Sequence, residues 1–254
     1  MRILFLGQCL VYGYDGVDQG STFVNHAINN LATRFPDHDI TLDRKHLYHP
    51  NGLKAILRHR FLFSQPDIVV ISVIASFAVQ RTRVNLLYEM APEIVDTARS
   101  FMRKIEARVI GYRGAPKQQT AIDKFLAWHP PIALDEYERL VEEGVDICQS
   151  KGARVLLLGP GRFNEDIKAD FSVPLAEVPI LFDSVNEMVR RVSKRTKAQI
   201  VDARGALCQR GGEVFLPQNI RWSHQGHDLV ARELENALAS EIIRSNPVTI
   251  GSLL

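Results

Sequence analysis

Five short apolar runs punctuate the chain, at Ile3–Leu6, Ile40–Leu42, Ile68–Ile74, Arg154–Leu158 and Gln199–Val201. Three of them, within 67–73, 153–159 and 198–202, are nearly unbroken aliphatic or β-branched stretches. Strands covered on both faces read this way, which predicts a parallel sheet between layers of helices. Helix-period segments lie between the runs. Phe23–Phe35 has apolar residues at 23, 24, 27, 28, 31, 32 and 35. Asn85–Ile110, Leu134–Ser150, Val178–Arg195 and His224–Arg244 continue the alternation. Gly152 stands where a helix would end, and Ser223 where one would begin. The β-α-β-α order predicts an α/β fold: a three-layer α/β/α sandwich over a five-stranded parallel, flavodoxin-like sheet. No composition break, repeat or linker divides the chain, so residues 1–254 read as one domain. The Gly- and Pro-rich stretch 111–133 is too long for a plain turn. It reads either as a lid over the site or as a packed surface excursion.

Composition excludes more than it selects. The chain has 254 residues, 46% hydrophobic and 24% charged, enough for a large core without metal or disulfide staples. With 31 basic and 29 acidic residues, the formal charge is +2, which gives no electrostatic reason to expect nucleic acid or membrane as a partner. The densest basic stretch, Arg190, Arg191, Lys194, Arg195 and Lys197, reads as the wet face of a helix. Three cysteines without short spacing suit neither a disulfide framework nor a zinc site. Cys148 and Cys208 sit in apolar segments and are expected to be buried. The run after Met1 is too short for an export signal, and no stretch reaches membrane-spanning length, so a cytoplasmic location is expected. No phosphate loop, metal spacing or other cofactor motif is present. The expected partner is a small-molecule ligand or ester substrate.

In open parallel sheets the chemistry sits at the carboxyl ends of the strands. There the first run is followed by Gly7-Gln8-Cys9-Leu10-Val11-Tyr12-Gly13. This stretch resembles the first block of the SGNH (GDSL-type) hydrolases, written Gly-Asp-Ser-Leu with a later Tyr-Gly, in which the serine is the nucleophile. The resemblance continues in order over roughly 1–244. Pro50-Asn51-Gly52 matches the block whose glycine N–H donates to the oxyanion. The run 66–73 matches the third strand. Ile74-Ala75-Ser76-Phe77 stands where the family has Gly-x-Asn-Asp, which puts Ser76 in place of the oxyanion asparagine. Residues 218–227, ending in Gly226-His227, match the Asp-x-x-His block and its continuation. Aligned on Gly226-His227, the family's aspartate falls on Gln218 and its histidine on Arg221. The resemblance implies a hydrolase of the ester or acyl class with an altered site.

The departures are chemical. A serine nucleophile needs a base, and the base needs an orienting partner. Arg221 stays protonated and cannot be that base, and Gln218 cannot ionise. This leaves three readings. In the first, the protein is a pseudoenzyme or impaired relative that keeps the crevice; loss of one oxyanion donor alone costs about 10²–10³ in rate. In the second, Cys9 serves as a thiolate nucleophile, its pKa lowered by a helix N-terminus and Arg221. Gly52 and Ser76 would then be the oxyanion donors and His224 the base, with His46 and His49 as further candidates. In the third, Arg221, Gln8 and Ser76 bind a carboxylate or phosphate. His224 also fits an exposed helix start, and His227 a packing role.

Overall fold

A computed structural model describes residues 1–13, 17–47, 50–75, 132–164, 178–216 and 221–245. The helix expected over 85–110 and nearly all of the 111–133 stretch lie outside these residues, as do Tyr14, His49, Ser76, Gln218 and the acidic stretch 165–170.

The described elements are β1 (Arg2–Gly7), α1 (Cys9–Tyr12), α2 (Phe23–Arg34), β2 (Thr41–His46), α3 (Leu53–Phe63), β3 (Ile68–Ser72), α4 (Leu134–Ser150), β4 (Arg154–Leu158), α5 (Val178–Thr196), β5 (Gln199–Val201), α6 (Ala203–Cys208) and α7 (His224–Ser245). The five strands form one parallel sheet in the order β2-β1-β3-β4-β5. This is the flavodoxin-like order, and the winding reverses between β1 and β3. Ile3 pairs with Ile68 and Leu6 with Ile71, so the carboxyl ends of the two strands beside the reversal lie level.

Alternate side chains of the inner strands feed two cores. Leu4, Leu6, Val69, Ile71, Val155 and Leu157 pack with α3, α4 and α5. Ile3, Phe5, Val70, Leu156 and Leu158 pack with α2, α6 and α7. Burial on both faces explains why these strands carry no polar alternation. β2 is different. As an edge strand it reads Thr-Leu-Asp-Arg-Lys-His, and none of its residues is fully buried. It runs four residues beyond the expected Ile40–Leu42.

Two helices were not expected from the pattern. One is α3, which buries Leu53, Leu57 and Phe61. The other is α6, started by Asp202, whose Oδ1 accepts from Gly205 N–H at 2.9 Å. The basic stretch on α5 is exposed: Arg191 and Arg195 reach across to Glu138 and Glu142 of α4, with contacts of 2.5–2.9 Å. These arginines hold the Glu138 carboxyl below the ordinary carboxylate range, the Arg191 hydrogen bond first among the causes. Cys148 is buried, and burial pushes its thiol up to about 12. Cys208, expected to be buried, is exposed. It ends the six-residue α6, whose inward face is met by Ala203, Ala206 and Leu207 instead. Among the described residues, no helix is long and apolar enough to cross a membrane.

Candidate functional site

The site is assembled from the segments at the carboxyl ends of the strands. Gly7 ends β1, and its lack of a side chain is a steric requirement. A Cβ there would lie 2.4 Å from Val11 Cγ2 and 3.4 Å from Ser72 Cβ. The chain can therefore turn sharply from β1 into α1 while touching the end of β3. The Gln8 carbonyl accepts from Val11 N–H at 2.9 Å, and the Gly7 carbonyl from Leu47 N–H at 2.8 Å. These bonds fix Gln8 and the backbone of Cys9 at the carboxyl end of the sheet; the Cys9 side chain lies outside the described part of the structure. The helix that Cys9 opens has only four residues. So short a helix contributes little macrodipole, which removes one of the two reasons for expecting a depressed thiol pKa.

At the end of β2, Pro50–Gly52 form a 3₁₀ turn that leads directly into α3. Gly52 thus stands at the junction where the oxyanion donor was expected, with an ordinary φ of −71°. At the end of β3, Val73 N–H donates to the Leu158 carbonyl at 2.8 Å, which continues the ladder one residue further. Beyond it, the fully buried Tyr137 of α4 takes over. Its Oη accepts from Ile74 N–H at 2.9 Å and lies 3.4 Å from the Ile74 carbonyl. Burial holds this phenol neutral, far above its ordinary pKa. Tyr137 therefore fixes the backbone that leads into position 76, a role that no sequence pattern announced. Tyr137→Phe is expected to lower stability by about 1–3 kcal/mol, because Ile74 loses its acceptor without gaining water. Urea unfolding checks this; a change below about 0.5 kcal/mol would show that the bond contributes little.

At the end of β4, Asn186 of α5 donates from Nδ2 to the carbonyls of Gly161 and Phe182, at 2.7 and 2.9 Å. A methyl group on Gly161 would lie 3.5 Å from Trp222 Cζ2, so this loop sits against the segment that carries Arg221. That segment pairs antiparallel with the residues before it: Phe215 and Trp222 form a bridge, and Leu216 N–H donates to the Arg221 carbonyl at 2.9 Å. Arg162 reinforces it by lying over the Phe215 ring at 5.3 Å. Arg221 is half-buried at this end of the sheet.

Gly226 and His227, the best-matched part of the last block, are structural. A Cβ on Gly226 would lie 2.2 Å from the Val214 carbonyl oxygen. His227 is buried, and its Nδ1 accepts from Phe23 N–H at 3.0 Å. Its ring stacks on Phe23 and meets Trp222 edge-on. Burial, with smaller contributions from His224 and His26, depresses its pKa to about 3. His224 is exposed at the first position of α7, where Ser223 Oγ caps the helix by accepting from Gly226 N–H at 3.3 Å. The Asp18 carboxyl is held below its ordinary range by the Ser21 hydrogen bonds chiefly, with His224 last among the causes. A second pair, His26 and Asp228, meets at 2.6 Å where α2 faces α7. His46 ends β2 and lies against Tyr12, ring centroids 5.3 Å apart. Gln8, Gly52, Arg221 and His224, with the Cys9 backbone, are thus placed around one end of the sheet.

No family model and no curated protein matches the chain. Solved structures do. An alpha/beta hydrolase enzyme from the metagenome of Lake Arreo, Spain, is similar over 94% of each chain, with 17% identity and a TM-score of 0.60. An acetylxylan esterase from Geobacillus stearothermophilus is similar over 92% of each, with 16% identity and a TM-score of 0.58. A structure described as a GDSL-like lipase from Parabacteroides merdae covers 94% of this chain at 14% identity and a TM-score of 0.59. The acetylxylan esterase structures include catalytic mutants in which a serine, an aspartate or a histidine is replaced by alanine. With its sheet order, its glycine-tight turn after β1 and these structural relatives, the chain has the SGNH hydrolase fold.

Proposed function

We propose that this chain is an SGNH-type protein of the ester/acyl hydrolase class that lacks the serine–histidine–aspartate relay and binds an anionic ligand at the carboxyl end of its sheet. The observation that carries this reading is the position of Arg221. It stands five residues before Gly226, next to the Phe215–Trp222 pairing and anchored through His227. The register that puts arginine where the family keeps its base is therefore supported by packing on both sides. A guanidinium there cannot accept a proton, but it suits a carboxylate or phosphate. Hydrolysis at the family rate is not expected.

A second reading is kept for one reason: Cys9 comes directly after the Gly7 turn, where the family places its nucleophile. A thiolate needs less help than a hydroxyl, so slow cysteine-dependent acyl transfer can persist without a strong base. Hydrolysis of p-nitrophenyl acetate by wild type and by Cys9→Ala separates the two. The binding reading expects rates at background for both proteins. A wild-type rate about tenfold or more above background that disappears in Cys9→Ala would replace it with the cysteine-enzyme reading.

A further inference from the structure

Among the described residues, Arg44 is a charge without a counter-ion. It lies on β2, half-buried, on the side of the sheet that also carries Leu42 and α2. One Nη2 hydrogen is donated to Asn25 Oδ1, and Asn25 in turn donates from Nδ2 to the Gln19 carbonyl. The Nε of Arg44 is closed off from water and has no acceptor among the described residues. No carboxylate among the described residues pairs with it; the titratable group whose field reaches it is the Tyr12 phenol, and burial is the larger influence, lowering its pKa. Neighbouring cations are treated differently: Arg60, from α3, pairs with Asp43 at 2.9 Å, and Arg34 lies 3.6 Å from Glu235. Burying a guanidinium with an unmet donor is costly, and such groups ordinarily have an anionic partner.

The place of Arg44 says what that partner would be. Two residues further along β2 is His46, whose ring lies against Tyr12. Tyr12 is on α1, one helical turn after Cys9. Positions three apart on a helix are neighbours, with Cβ atoms about 5–6 Å apart. A ligand anchored beside Tyr12 would therefore extend over the Cys9 position within a few bonds. We propose that Arg44, Tyr12 and His46 form an anion subsite beside the ester/acyl site, receiving a carboxylate or phosphate group carried a few atoms from the ligand's carbonyl. This rests on the proposed function and narrows it: the ligand class becomes anionic esters, such as half-esters of dicarboxylic acids or acylated sugar acids and sugar phosphates.

The test measures binding by the full chain, so it does not depend on turnover. Succinate, inorganic phosphate and neutral acetamide are titrated into wild type, Arg44→Gln, Arg44→Lys, Arg60→Gln and Arg221→Gln, and melting temperature is followed. The expected result is a rise of about 3 °C with succinate or phosphate at saturating concentration, and none with acetamide. Arg44→Gln should lose at least two thirds of the rise. Arg44→Lys, which keeps charge and stem but not the fork, should keep part of it, and Arg60→Gln all of it. Whichever anion gives the larger rise identifies the group. The subsite is overturned if neither anion raises the wild-type melting temperature, or if Arg44→Gln and wild type respond equally. Loss of the rise in Arg221→Gln but not in Arg44→Gln would also overturn it, while leaving the proposed function standing. Unliganded melts and circular dichroism of both Arg44 variants show whether each is folded; if Arg44→Gln is not, Arg44→Lys decides.

Discussion

Gly226→Ala destabilises the protein by about 3 kcal/mol or more, a large change for one methyl group. The methyl would enter at 2.2 Å from the Val214 carbonyl oxygen and 3.0 Å from Trp222 Cβ, well inside van der Waals contact in the first case. The nearest obstacle is backbone, so it cannot rotate away. Relief requires the start of α7 to move off the turn at 212–214. That movement would pull His227 from Phe23 N–H and loosen the Phe23–Trp222 edge contact, now at 5.5 Å. Opposing this, alanine gains about 1 kcal/mol over glycine within a helix, which is too little to reverse the sign. Urea unfolding of Gly226→Ala beside Gly211→Ala gives the comparison. Gly211 has nothing within 4 Å of an added Cβ, so its variant should stay within about 0.5 kcal/mol of wild type. Equal stabilities for the two variants would show that the approach of α7 to residue 214 is not close in solution.

Acid weakens the fold through His227 before the carboxylates titrate. The folded-state pKa is about 3, against an unfolded value of 6.5. Because the folded value is depressed, the neutral ring is favoured in the fold, and the contribution is intact above pH 6.5. Below that the unfolded chain takes up a proton that the fold refuses, so stability falls as pH drops from 6.5 toward 3. By about pH 5 the loss is about 2 kcal/mol. The carboxyls of Glu138 and Glu143, both held below 4.5, act at lower pH, so the window from about 6.5 to about 5 separates the two effects. His227→Asn keeps an acceptor near the Nδ1 position but cannot titrate. Its unfolding free energy should be flat across that window, whereas wild type should slope. Parallel slopes in the two proteins would assign the acid sensitivity to other groups.

The sheet was readable because its inner strands are buried twice. Val69, Val70, Leu156 and Leu157 meet helices on one face or the other, and their uninterrupted hydrophobicity announces strand, layer and parallel direction together. The edge strand β2 was cut short for the opposite reason: Asp43, Arg44 and Lys45 do not look like a strand unless one side is known to be open. In α3, Leu53, Leu57 and Phe61 do recur at helical spacing. They come after Pro50-Asn51-Gly52, which reads as a turn, and end in Leu62 and Phe63, 76% and 73% exposed, which blur the period. Six-residue α6 is too short to show one. At the site, the order of the blocks located the turn after β1, the β3 end and the start of α7. The residues that hold those segments in place, Tyr137, Asn186 and Arg162, come from elements distant in sequence, and neither spacing nor residue type marks them. Arg44 was invisible for another reason: what sets it apart is the lack of a carboxylate partner among the described residues, which only three-dimensional packing reveals.

The bond from Phe23 to His227 spans 204 residues. Its length has a consequence for how the chain is made. The apolar stripe of α2, with Phe23, Val24, Ala27 and Leu31 fully buried in the finished protein, is covered largely by α7. During translation that cover arrives roughly 10–40 s after α2 itself, at about 5–20 residues per second. For that interval the nascent chain carries an amphipathic helix whose mate has not been synthesised. Folding of this half of the molecule is thus completed only once α7 has been made, and a chaperone that binds amphipathic helices would find its substrate at Phe23–Arg34.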